Sequence, residues 1–260
     1  MRYKVLCGYI RQRWDCGDTV EIEEKHTGKY GARGQTREKK RKATPEEIKK
    51  HNQWKRERDV RRLIKWNFRE RDYWITLTYP KDYRPTWEEM KDHAGKLVRK
   101  MREKYKKQGW TLKYIYRLAI GSRGGRHIHI LINRESNEKT ATDLIITDLW
   151  EQQWGHGHVN FRTTYSEGGY KQLAEYLTKP LEEWEPDEVK RYHPSRNLIR
   201  KDPEVDEIKR RSLVDRDGKP RMPKAPKGYY VDPESIEVGI NPITHYAYRH
   251  YTLIKIKKRK

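Results

Sequence analysis

Cysteine is almost absent. Cys7 and Cys16, in a chain of 260 residues, are too few for a disulfide framework and lack the spacing of a zinc site. The expectation is a reduced protein in the cytoplasm. Long apolar runs are missing too. No stretch approaches the ~20 residues of a membrane span, and Met1-Arg2-Tyr3-Lys4 does not open like a signal peptide. No membrane partner is therefore expected. No Gly-x-x-x-x-Gly-Lys-Ser/Thr phosphate loop occurs, which argues against an attached ATP-driven motor. Acidic residues are scarce relative to basic ones, 38 against 60, which leaves a net charge of +22. With a hydrophobic share of only 33%, much of the chain must be solvated or lie against a polyanion. Nucleic acid is the leading partner. Phenylalanine occurs twice, against 18 tyrosines and nine tryptophans. The latter two offer flat faces on which bases stack, although they also serve as core residues with a polar edge.

One core with terminal extensions suits this length better than two independent folds. Residues 1–43 read as a strand pair, Arg2 to Ile10 and Thr19 to Glu23 around a Gly17-Asp18 turn, followed by a glycine-rich and then basic arm from Gly28 to Lys42. Thr44-Pro45-Glu46-Glu47 carries a capping box with proline at the first helical position, and opens a helix to about Phe68. Tyr73 to Tyr79 alternates and is rich in β-formers, so it reads as a strand ended by Pro80. Thr86 and Glu89 form a second capping box before a helix with Met90, Ala94, Leu97, Met101 and Tyr105 on one face. A hairpin follows, Leu112 to Ile120 and Arg126 to Asn133, around Gly121-Ser122-Arg123-Gly124-Gly125. Thr140 to Trp154 reads as a helix, His158 to Thr163 as a strand, and Gly169 to about Pro180 as the last core helix. Residues 183–260 are proline- and charge-rich, with short strands expected near Ile236–Gly239 and Tyr246–Ile256 and a basic tail. This order predicts an α+β fold, a central antiparallel sheet flanked by helices, over residues 44–182.

The strand Arg126-His127-Ile128-His129-Ile130-Leu131-Ile132 carries the chemistry. Side chains alternate along a strand, so His127 and His129 project from one face and the isoleucines from the other. Two nitrogen ligands are thereby offered to one metal ion. In Tyr176-Leu177-Thr178-Lys179, the first and last residues are three apart, hence on one helical face. Tyr170 lies six before Tyr176, which turns it to another face and marks it as structural. A second His-x-His, Gly155-His156-Gly157-His158, has glycines where a metal strand needs an apolar face, and reads as a turn.

Three segments in order, Trp74-Ile75-Thr76-Leu77-Thr78-Tyr79, Gly125-Arg126-His127-Ile128-His129 and Tyr176-Leu177-Thr178-Lys179, make residues 44–182 resemble the HUH endonuclease superfamily. The likeness is to its single-tyrosine rolling-circle replication initiators (Rep) of phages, plasmids and integrative elements. The resemblance implies nicking of single-stranded or hairpin origin DNA by Tyr176, with Lys179 assisting and Mg²⁺ or Mn²⁺ held by His127 and His129. A host helicase and polymerase are the partners it implies. In such proteins a polar third ligand often precedes the first histidine by about eight positions, where this chain has Ala119. Glu175, Asp72 or water are the candidates to complete the site. Arg123, Arg126, Thr76, Thr78, Arg61 and Arg62 are candidate DNA contacts. A non-cleaving DNA-binding regulator on the same fold, and a relaxase or transposase of the superfamily, are the alternatives.

Overall fold

The protein is described by a computed structural model over residues 8–28, 42–165, 167–186 and 189–256. The basic arm therefore lies almost wholly outside the described residues, as do the start of the first expected strand and the end of the basic tail. The elements in chain order are β1 (Tyr9–Asp15), β2 (Thr19–His26), α1 (Pro45–Asn67), β3 (Tyr73–Thr78), α2 (Trp87–Lys107), β4 (Tyr114–Ile120), β5 (Arg126–Ile132) and α3 (Thr142–Thr147). Then come β6 (Val159–Thr163), α4 (Lys171–Thr178), β7 (His193–Pro194), β8 (Glu204–Ile208), β9 (Tyr229–Val231), β10 (Glu237–Ile240) and β11 (Ala247–Lys255). The chain divides into two units, residues 53–199 and the combination of 1–52 with 200–260.

In the unit of residues 53–199, five strands pair in the order β6-β3-β5-β4-β7, and every pairing is antiparallel. The alternation of β3 explains its two faces. Tyr73, Ile75 and Leu77 join Tyr114, Tyr116, Leu118, Ile128, Ile130 and Ile132 beneath α2, whose Met90, Ala94, Leu97 and Met101 are buried against them. Each such side chain withdrawn from water contributes roughly 1.5–3 kcal/mol. Thr86 and Glu89 close the expected capping box at the start of α2. The opposite sheet face meets Val60, Leu63 and Ile64 of α1 and Ala174 and Leu177 of α4, through Ile115 and Leu131.

Two details depart from the pattern expected of the sequence. The helix expected over 140–154 is split: α3 has six residues and continues as a π-helical turn, Asp148–Gln153, that buries Leu149 and Trp150. Trp150 donates its indole N–H to the Thr78 carbonyl at 3.1 Å, so the turn is tied to β3. The last core helix begins with a 3₁₀ turn, Glu167–Tyr170, and Tyr170 stands at φ 62°, buried at the start of α4.

In the other unit a sheet runs β10-β11-β2-β1-β8, with β9 also paired to β11. Strands from both ends of the chain thus share one sheet, which the separate reading of the two extensions did not foresee. Glu24 of β2, fully buried, is held by Arg249 at 2.5 Å and Arg11 at 2.8 Å.

Candidate active site

Register places the histidines among specific neighbours. On β3, Thr76 lies opposite His129 and Thr78 opposite His127; on β4, Arg117 lies opposite His129 and Ala119 opposite His127. Directly opposed residues share a sheet face, here the face covered by α1 and α4. The two imidazole rings lie 5.5 Å apart, centroid to centroid. Tyr176, on α4, brings its ring edge-on to His129 at 4.9 Å. Trp74 stacks parallel on His129 at 5.5 Å and meets the Tyr176 ring at 5.6 Å. Three segments far apart in sequence therefore converge, and Tyr176 stays 37% exposed.

Burial holds both imidazoles below the ordinary histidine range. His127 is lowered, against the opposing pull of the Arg126 backbone and the Glu185 carboxylate. His129 is pushed down to about 3 by burial, helped by His127 and Arg117. Both rings are neutral near pH 7 and keep a lone pair. His129 Nδ1 lies 3.1 Å from Thr76 Oγ1, whereas its Nε2 is buried with no hydrogen-bond partner among the described residues. With the ring proton on Nδ1, the orphaned Nε2 is the free lone pair that metal ligation requires. These two residues fit a divalent ion that completes its shell with water. Among the described residues no third His, Cys, Asp or Glu joins them as a ligand.

Sequence reasoning missed Arg117 and Glu185. Arg117 is buried, and its Nη1 donates to the carbonyls of Tyr176 (3.1 Å), Leu177 (3.4 Å) and Lys179 (2.7 Å). Its Nη2 reaches the Pro180 carbonyl and the Glu185 carboxylate, each at 3.5 Å. One guanidinium thus satisfies the open C-terminus of α4, where a cation is favoured. Its carbon stands 5.8 Å from the Tyr176 ring centre. Burial raises the Tyr176 phenol above its usual pKa, Arg117 draws it back, and Glu185 raises it. Arg117 had left a signal, a lone charge inside Tyr-Ile-Tyr-Arg-Leu-Ala-Ile that demands a partner. Glu185 left none.

The remaining candidates are dispersed. α4 ends at Thr178, and Lys179 leaves it at φ −44°, ψ 137°, so Lys179 is off the helical face that its spacing from Tyr176 predicted; its ammonium pairs with Glu182. Glu175 is exposed on α4. Asp72 is buried at the far end of β3 from His127, accepting the N–H groups of Arg69 and Arg134. Thr78 exchanges hydrogen bonds with the His158 backbone. Arg123 is exposed in the hairpin turn, whereas Arg126 donates to the carbonyls of Pro85 and Gly124. Arg61 is half-buried, and Arg62 is interior and paired with Asp59 at 3.6 Å, which withdraws it from any bound strand. A more basic corner forms where Arg191 and Arg56 both donate to Gln53 Oε1, at 2.6 and 3.3 Å. Burial, Arg56 and Arg117 lower the Arg191 pKa.

Taken together, fold and site define an α+β protein that presents a histidine pair and a tyrosine on one face of an antiparallel sheet. Residues 72–181 match a family model of replication-associated proteins of the ORF2 type. That segment runs from the start of β3 past α4 and contains His127, His129 and Tyr176. The match is consistent with a Rep-type replication initiator and with DNA as its partner. No curated protein and no solved structure is matched by the chain. Among the described residues no helix is long and apolar enough to cross a membrane.

Proposed function

We propose that this chain is a single-tyrosine HUH-type initiator of rolling-circle replication, which nicks and rejoins single-stranded origin DNA. The observation that carries the reading is the Tyr176 ring 4.9 Å from His129, across 47 residues of sequence. Tyr176 Oη attacks the scissile phosphorus and the bond from phosphorus to the 3′-oxygen breaks. The phenol gives up its proton, the departing 3′-oxygen takes one up, and the 5′-phosphate remains on tyrosine. Keeping the phosphate in an ester bond allows a later 3′-hydroxyl to reverse the step without ATP. A Mg²⁺ or Mn²⁺ ion held by His127 and His129 would draw charge from the phosphate oxygens. Thr76 orients His129, and Arg117 fixes the end of α4 that carries the nucleophile. Arg123, Arg56 and Arg191 are the cations we assign to backbone phosphates. A host helicase and polymerase would extend the opened strand.

Single-stranded origin DNA incubated with the protein and Mn²⁺ tests the reading. A covalent adduct that disappears in Tyr176→Phe supports it. Ala119, in place of a third ligand, favours a second reading, a DNA-binding regulator that does not cleave. Tight binding of the same strands with no adduct is the outcome that reading expects.

A further inference from the structure

Trp184 is oriented the wrong way round for a core tryptophan. Such a residue ordinarily buries its rings and leaves the N–H near water or a partner. Here the N–H is sequestered, donated to the Ile120 carbonyl at 2.7 Å, while the residue as a whole is 49% exposed. The neighbouring Glu185 accepts the Ile120 N–H at 3.1 Å, so both backbone groups of this terminal β4 residue are held by the 182–185 turn. That turn is itself closed by Glu185 N–H to Glu182 C=O and by Glu182 N–H to the Glu185 carboxylate. The indole is therefore fixed in direction, with ring surface left in water. Its place is informative. The residue after Ile120 is Gly121, where an added Cβ would lie 3.3 Å from His127 Nε2. The anchored ring thus stands at the end of β4 that adjoins the histidine pair.

We infer that Trp184 is a stacking platform for one nucleobase of the single strand, beside the phosphate presented to His127 and Tyr176. The inference rests on the proposed function for its ligand class. A rigid aromatic face gains from stacking without ordering a side chain, and every base has a face to offer. The net charge of +22 supplies the attraction for the backbone, and the tryptophan supplies a contact that salt does not screen.

The test uses full-length protein carrying Tyr176→Phe, so that binding is read without cleavage, and a fluorescent single strand of the origin. Trp184→Ala is expected to weaken binding about tenfold, within the range of one base stacked on an aromatic ring. Trp184→Phe loses the same hydrogen bond to Ile120 but keeps a ring, and is expected to retain most of the affinity. A series of strands with one abasic site each should reveal one position whose loss costs affinity in the parent and nothing further in Trp184→Ala. Unchanged binding in Trp184→Ala overturns the inference. So does an equal loss in both variants, which would mean that the bond to Ile120 and not the ring face matters. Failure of the catalytic reading would appear separately, as no adduct in the protein with Tyr176 intact.

Discussion

Removing the Arg117 guanidinium by Arg117→Met should loosen the nucleophile helix from the sheet. The side chain is 3% exposed and its ion-pair partner Glu185 only 1%. Four carbonyls at the end of α4 also depend on it. Breaking a buried pair by removing one partner costs about 3–5 kcal/mol, because the other charge is left uncompensated. Glu185 keeps the N–H groups of Ile120 and Glu182, which places the expected loss near the lower end, about 3 kcal/mol. Glu185→Gln removes the stranded charge, so the double variant should recover about 1–3 kcal/mol relative to the sum of the singles. Since the chain forms two units, hydrogen exchange read peptide by peptide is the suitable assay. Protection should fall in the peptides covering 171–181 and 114–120. A loss below about 1 kcal/mol in Arg117→Met, or additive single variants, would refute the argument.

Three further outcomes are expected. Gly157 stands at φ +133°, and a Cβ there would lie 2.4 Å from the Thr78 carbonyl oxygen, so Gly157→Ala should cost more than the ~1–3 kcal/mol of a strained backbone position; Gly155→Ala, with open space around it, should cost less in the same thermal melts. In metal-free protein, burial keeps His129 near a pKa of about 3 against 6.5 for the free side chain, so the unfolded chain binds a proton first as pH falls. Its contribution is whole above pH 6.5 and is lost downward toward pH 3, about 2 kcal/mol by pH 5, and urea midpoints should lose part of that slope in His129→Gln. Ala119→Glu places a carboxylate opposite His127 and should tighten Mn²⁺ binding about tenfold by calorimetry, equivalent to ~1.4 kcal/mol; no change would mean that the missing ligand belongs elsewhere.

The β3, β4 and β5 strands were legible because one face of each is apolar at every second residue, and α2 because its capping box and its stripe of Met90, Ala94, Leu97 and Met101 agree. The histidine pair was legible for the same reason, since a period of two puts both rings on one side. The convergence of Tyr176 and Trp74 on His129 was implied only by a resemblance, because no local pattern says which strand a helix packs upon. The end of α4 was misjudged by one residue, since Lys179 has no glycine or proline before it to announce the break. Glu185 and Trp184 were invisible. Their roles depend on a turn that folds back onto Ile120 from 65 and 64 residues away, through hydrogen bonds that leave no periodicity. The π-helical turn after α3 was equally silent, as its apolar spacing differs little from that of a continuous helix.

The central claim is that Tyr176 carries the phosphate. It is tested most directly by digesting the protein after reaction with single-stranded origin DNA and Mn²⁺, and locating the nucleotide on the peptides by mass spectrometry. The account predicts a 5′-phosphonucleotide on the peptide containing Tyr176, and on no other. A nucleotide on Tyr170 or any other residue, or a cleaved strand with no protein adduct, would contradict it.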